Sequence, residues 1–139
     1  MTAKEDIYKK TQINTSSPLL LLVMLYERAI QDLEIAEEFY QKEDPKSIVQ
    51  ADKKVYHAQD IITELMSTLN FEDGGDISRQ LFSIYSFLNK ELDRVILEKN
   101  RESIQEVIRH LKNLHAAWKE TLSKDRDTCN KKLGINIVS

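Results

Sequence analysis

The sequence is short of everything that breaks a helix. Its 139 residues include three glycines and two prolines, so apart from Pro18, Pro45, Gly74-Gly75 and Gly134 little turns the backbone away from helical dihedrals. A single cysteine, Cys129, excludes an internal disulfide and fits a reducing compartment. The longest apolar run, Leu19 to Tyr26, falls far short of the roughly 20 residues that cross a bilayer, and no basic-then-apolar leader opens the chain. Lys and Arg number 20 against 23 Asp and Glu, interspersed, with a net charge of −3. That mixture leaves no basic stripe for nucleic acid. The absences together predict a soluble, cytoplasmic single domain with no membrane insertion and no nucleic-acid partner, large enough to bury about 70% of its unfolded surface.

What the chain has instead is heptad-like periodicity. Ser16-Ser17-Pro18 reads as a helix start, the Ser17 hydroxyl capping and Pro18 sitting at the first helical position. Leu19, Leu22, Tyr26, Ala29, Leu33, Ala36 and Tyr40 then form one stripe at spacings of three and four, up to a stop at about Gln41 before Asp44-Pro45. A second helix carries Ile48, Ala51, Val55, Ala58, Ile62, Leu65 and Leu69, and ends at Leu69-Asn70-Phe71-Glu72-Asp73-Gly74-Gly75, where paired glycines predict a tight reversal. The third, about 77–99, points Ile77, Leu81, Ile84, Tyr85, Leu88, Leu92 and Val95 inward, with Phe82 and Phe87 beside them. The fourth, about 101–123, repeats the pattern through Ile104, Val107, Leu111, Leu114 and Trp118. Short connections make these antiparallel neighbours, so the expected fold is all-α: an up-down-up-down four-helix bundle over 17–122. A short N-terminal arm, 1–16, precedes it and a polar tail, 123–139, follows.

The first helix carries more apolar surface than one core face needs. Leu20, Leu21, Met24 and Leu25 fall off its stripe, and Tyr56 and Met66 fall off the second helix's stripe. Such surplus marks interaction surface when no other part of the chain covers it. The arm's apolar residues, Ile7, Tyr8 and Ile13, are the obvious internal cover. Candidate partner-contacting residues are therefore Ile7, Tyr8, Leu20, Leu21, Met24, Leu25, Tyr56, Met66 and Phe82.

No residues carry an enzymatic reading. A di-iron bundle needs paired Glu-x-x-His motifs, but the residues three before His57, His110 and His115 are Lys54, Val107 and Lys112. Cys129 has no histidine nearby in sequence, and no carboxylate pair stands in an apolar setting. The diglycine is followed by no P-loop Lys or Ser/Thr at the right spacing. No catalytic residue, metal or cofactor is expected. The alternative to a binding protein is a structural module that dimerises through its surplus apolar surface.

Several short segments, in order, resemble the FliS family of flagellin-specific export chaperones. They are Tyr8-Lys9-Lys10-Thr11, Thr15-Ser16-Ser17-Pro18 with Leu21, Met24-Leu25-Tyr26 with Ala29-Ile30, Glu64-Leu65-Met66, Leu69-Asn70-Phe71-Glu72, Gly74-Gly75-Asp76-Ile77, Leu81 with Tyr85, and Ala117-Trp118-Lys119-Glu120. Glu27-Arg28 and Ser16 depart from the family pattern, and the tail after about Leu122 has no counterpart. The resemblance implies a cytoplasmic protein of bacterial flagellum biogenesis and type III secretion. Its partner would be the disordered C-terminal segment of flagellin, held from premature polymerisation and delivered to the flagellar export gate. It also implies an arm that covers part of the client site.

Overall fold

The computed structural model describes the backbone of residues 18–133 and the side chains of residues 18–124. Ile7, Tyr8 and Ile13, the expected anchors of the arm, lie outside them. The described chain forms four helices and no strand: α1 (Pro18–Lys42), α2 (Pro45–Ser67), α3 (Phe71–Leu97) and α4 (Glu102–Leu133).

The ends of these helices follow from a few side chains. Glu43 takes a left-handed conformation, φ 61°, which stops α1. Asp44 then caps α2, accepting from the Ser47 amide at 2.8 Å and the Ser47 hydroxyl at 2.7 Å, with Pro45 at the first helical position. The Ser47 hydroxyl and amide hold the Asp44 carboxyl below the usual carboxylate range. Asn70 does the same for α3, its Oδ1 accepting from the amides of Glu72 at 3.0 Å and Asp73 at 3.1 Å.

The glycine pair does not close the α2–α3 connection; it lies inside α3. Gly75, at φ 52° and ψ −124°, kinks the helix one turn after it begins, a backbone state that a side chain would strain. Gly74 is required for another reason. Ser78 Oγ reaches back to the Asn70 carbonyl at 2.9 Å, and a Cβ at Gly74 would stand 1.9 Å from that oxygen. A capped first turn, Phe71 to Gly74, is thus folded against the helix that follows it.

The helices form a closed ring in which each packs on the next and α4 on α1, with neither diagonal pair in close backbone contact. Side-chain pairs between neighbours run in opposite numerical senses. Tyr40 meets Asp52 and Asp32 meets His57 between α1 and α2; Gln59 meets Asp93 and Thr63 meets Asn89 between α2 and α3. Between α4 and α1, Gln105, Lys112 and His115 face Glu37, Glu34 and Glu27. The α1–α2 seam is lined by fully buried alanines, Ala29, Ala36, Ala51 and Ala58, which let the two backbones approach closely.

Most of the expected stripes are buried, and two positions are corrected. Leu25, expected on the surplus face, is 1% exposed and belongs to the core with Val23 and Ile30. The reason is that α1 is packed on both α2 and α4, so its buried arc is wider than one stripe. Ile77, expected inward, is 66% exposed. Ile77 stands two residues after the non-helical Gly75, which changes the course of the chain at the point where the stripe is extrapolated from the rest of α3. α4 also continues to Leu133, past its expected end near residue 123.

Polar groups enter the core in matched pairs. The Tyr26 and Tyr85 hydroxyls are hydrogen-bonded across the bundle axis, with both side chains buried. Asp32, 1% exposed, accepts from the His57 ring and lies 3.7 Å from Arg28 and 3.9 Å from Lys54. Burial pushes the pKa of Tyr26, Tyr85 and Tyr40 above that of free tyrosine; Tyr26 adds to the rise at Tyr85 and Asp52 to that at Tyr40, whereas Tyr85 and Trp118 partly oppose it at Tyr26. A raised pKa in the folded state means that the unfolded chain releases protons first, near pH 10. The stability these neutral tyrosines confer is therefore intact below about pH 10 and lost as the pH rises past it. Urea midpoints measured between pH 8 and 11 are expected to fall above about pH 10, and to fall less steeply in a Tyr85→Phe variant.

Candidate binding groove

On α2, Tyr56, Gln59, Thr63 and Met66 follow one another at spacings of three, four and three, which places them on one flank. On α3, Phe82, Ser86, Asn89 and Asp93 do the same at four, three and four. The two flanks meet: Gln59 Nε2 donates to the Asn89 backbone carbonyl at 3.1 Å and to Asp93 Oδ1 at 2.8 Å. Asn89 Nδ2 faces Thr63 Oγ1 at 3.4 Å.

Along this seam runs a groove with apolar ends and a polar middle. At one end Phe82, 43% exposed, takes the edge of Phe71, 46% exposed, with ring centroids 5.9 Å apart. Met66 lies next, half-buried and packed on the core. Gln59, Thr63, Asn89 and Asp93 follow, and Tyr56, 53% exposed, stands at the far end. At 1.5 Å per residue the groove is roughly 20 Å long, enough for three to four turns of an incoming helix. Exposed aromatic rings beside a filled core are the kind of surface that a partner buries.

The candidate residues named from sequence fall into three groups. Tyr56, Met66 and Phe82 come together in this groove. Leu20, Leu21 and Met24 are half-buried on the first turns of α1, Leu21 and Met24 packed on the core, whereas Leu25 is inside it. Because the numbering alternates in direction around the ring, the start of α1 lies at the same end of the bundle as Met66, Phe71 and Phe82. Ile7 and Tyr8 lie outside the described residues. Phe71 was not among the candidates, since it sits in what reads as a turn; the only local sign was its position directly after a capping asparagine.

Other features are chemically quiet. His110 pairs with Glu106 at 4.0 Å and His115 with Glu27 at 3.2 Å, and His57 is held by Asp32 rather than by a neighbour on its own helix. Among the described residues no cluster of His, Cys, Asp and Glu is able to hold a metal ion, and no helix is long and apolar enough to cross a membrane. A hollow near the α3–α4 connection is lined by Glu91, Arg94, Ser103, Glu106 and Arg109, charges of both signs that suit no apolar segment.

The ring of helices, with its exposed aromatic groove, defines an all-α helical bundle with a candidate binding surface. The sequence profile of the family described as "Flagellar protein FliS" matches residues 1–125. "Flagellar secretion chaperone FliS" of Campylobacter jejuni is 33% identical over 115 residues, covering 83% of this chain and 88% of that one. The protein of the same name from Vibrio cholerae is 28% identical over 122 residues, 85% and 88% of the two chains; that of Bacillus subtilis is 24% identical over 119 residues, 86% of each. The chain belongs to the FliS family of flagellar secretion chaperones, a non-enzymatic class.

Proposed function

We propose that this protein is a cytoplasmic export chaperone that binds the disordered C-terminal segment of flagellin, keeps it from polymerising prematurely and aids its delivery to the flagellar export apparatus. The observation that carries this reading is the α2–α3 groove: Phe71, Phe82 and Tyr56 stay exposed although the core is complete without them. The relatives are named chaperones of flagellar secretion, which supports a flagellar export client, and an apolar client segment would cover the exposed rings. Burying one large side chain contributes about 1.5–3 kcal/mol, and ordering a disordered client offsets part of that gain. Several anchors are therefore needed, and the half-buried Leu20, Leu21 and Met24 at the same end of the bundle extend the surface. An arm bearing Ile7 and Tyr8 and covering part of it would lower the apparent affinity until displaced.

Mixing the protein with flagellin, and with flagellin lacking its C-terminal segment, tests the reading by titration calorimetry. One-to-one binding to the first and none to the second is expected. Equal binding to both contradicts the assigned segment, and a dimer that persists at nanomolar concentration without affinity for flagellin assigns the apolar surface to self-association instead.

A further inference from the structure

The middle of the α2–α3 groove holds acceptors in excess of donors. Asp93 is exposed, and its one partner is Gln59 Nε2 at 2.8 Å; among the described residues no cation pairs with it. Beside it, Asn89 Oδ1 is shielded from solvent and has no hydrogen-bond partner, although buried acceptors are rarely left so. Gln59 has a single amide nitrogen and spends it on the Asn89 backbone carbonyl and Asp93 together. Of the acids at this spacing on α2, Asp52 is taken by the Tyr40 hydroxyl, and Asp60, four residues after Tyr56, is exposed. A carboxylate without a cation, next to an orphan amide oxygen and between two apolar ends, is complementary to a positive charge.

Resting on the proposed client binding, we infer that the segment held in this groove carries a Lys or Arg between two apolar anchors, and that Asp93 fixes its register by pairing with that cation. When the cation takes Asp93, the Gln59 amide is released toward Asn89 Oδ1, so both unmet acceptors are satisfied in the complex. The spacing follows from α2. Gln59 is three residues from Tyr56 and seven from Met66, roughly 5 Å and 10 Å along the axis. In a helical client the cation therefore stands about one turn from one apolar anchor and two turns from the other. An acidic residue at that place is repelled by Asp93, which makes the same group a means of rejecting wrong registers.

The test titrates a fluorescent peptide of the C-terminal flagellin segment from the same bacterium into the full chain at low and at higher salt. Asp93→Asn is expected to weaken binding about tenfold at low salt and to flatten the salt dependence, because an exposed ion pair is screened. Gln59→Lys places an ammonium beside Asp93 within the chaperone and is expected to do the same. Both variants should keep the wild-type unfolding midpoint. Replacing the client's basic residue by Gln should produce a loss that Asp93→Asn does not deepen, as required of two partners in one pair. If both variants bind as wild type while Tyr56→Ser with Phe82→Ser loses binding, the cation inference is overturned and the groove reading stands. If none of these substitutions changes binding, both are overturned.

Discussion

Replacing Leu25 by alanine is expected to lower the unfolding free energy by about 2–5 kcal/mol, among the larger single-residue effects in this protein. Leu25 is 1% exposed and stands in one cluster with Tyr26, Ile61 and Leu65. Removing its isobutyl group opens a cavity that helices packed on two sides cannot readily close. Urea denaturation measures the effect: the midpoint should drop with no change in the denaturant slope, the mark of a loss in stability rather than in compactness. Leu20→Ala, five residues earlier and half-buried, should cost well under half as much. At a temperature where Leu25→Ala is fully folded, its affinity for the client should stay within about twofold of wild type. A variant with native stability and weakened client binding would return Leu25 to the partner surface.

Exchanging Tyr56 and Phe82 together for serine is expected to weaken client binding about 100-fold, since two exposed aromatic anchors are removed from the two ends of one groove. The cost in folding stability should stay near or below 1 kcal/mol, because neither ring belongs to the buried cluster. Isothermal titration together with a urea melt separates the two quantities. Loss of binding that tracks loss of stability would mean that the rings support the fold and not the client.

The contrast between these two predictions shows which parts of the structure were legible in sequence. Heptad spacing, the scarcity of glycine and proline, and the Asp44-Pro45 start identify four helices, and the stripes from Tyr26 to Tyr40 and from Ala51 to Leu65 are the buried faces observed. Leu25 was misplaced because a single stripe describes one partner helix, whereas α1 has two. Gly74-Gly75 looked like a loop because paired glycine permits a reversal; here Gly75 supplies a kink and Gly74 makes room for Ser78 Oγ. Asp32 gave no sign of being buried, since its partner His57 is far away in sequence. Tyr56, Met66 and Phe82 could each be named as surplus. That they form one groove, with Phe71 completing it, depends on the α2–α3 register, which no periodicity within one helix records.

The central claim, that the α2–α3 groove is the client site, is most directly tested by methyl NMR of the methionines during titration with the C-terminal flagellin segment. Of the three methionines, Met66 lies in the groove and Met24 on the first turns of α1, half-buried and outside the α2–α3 seam, so two resonances distinguish the groove from its extension. Groove binding predicts that the Met66 methyl signal shifts progressively and saturates at one equivalent of segment. A bound complex in which the Met66 signal stays in place would contradict it.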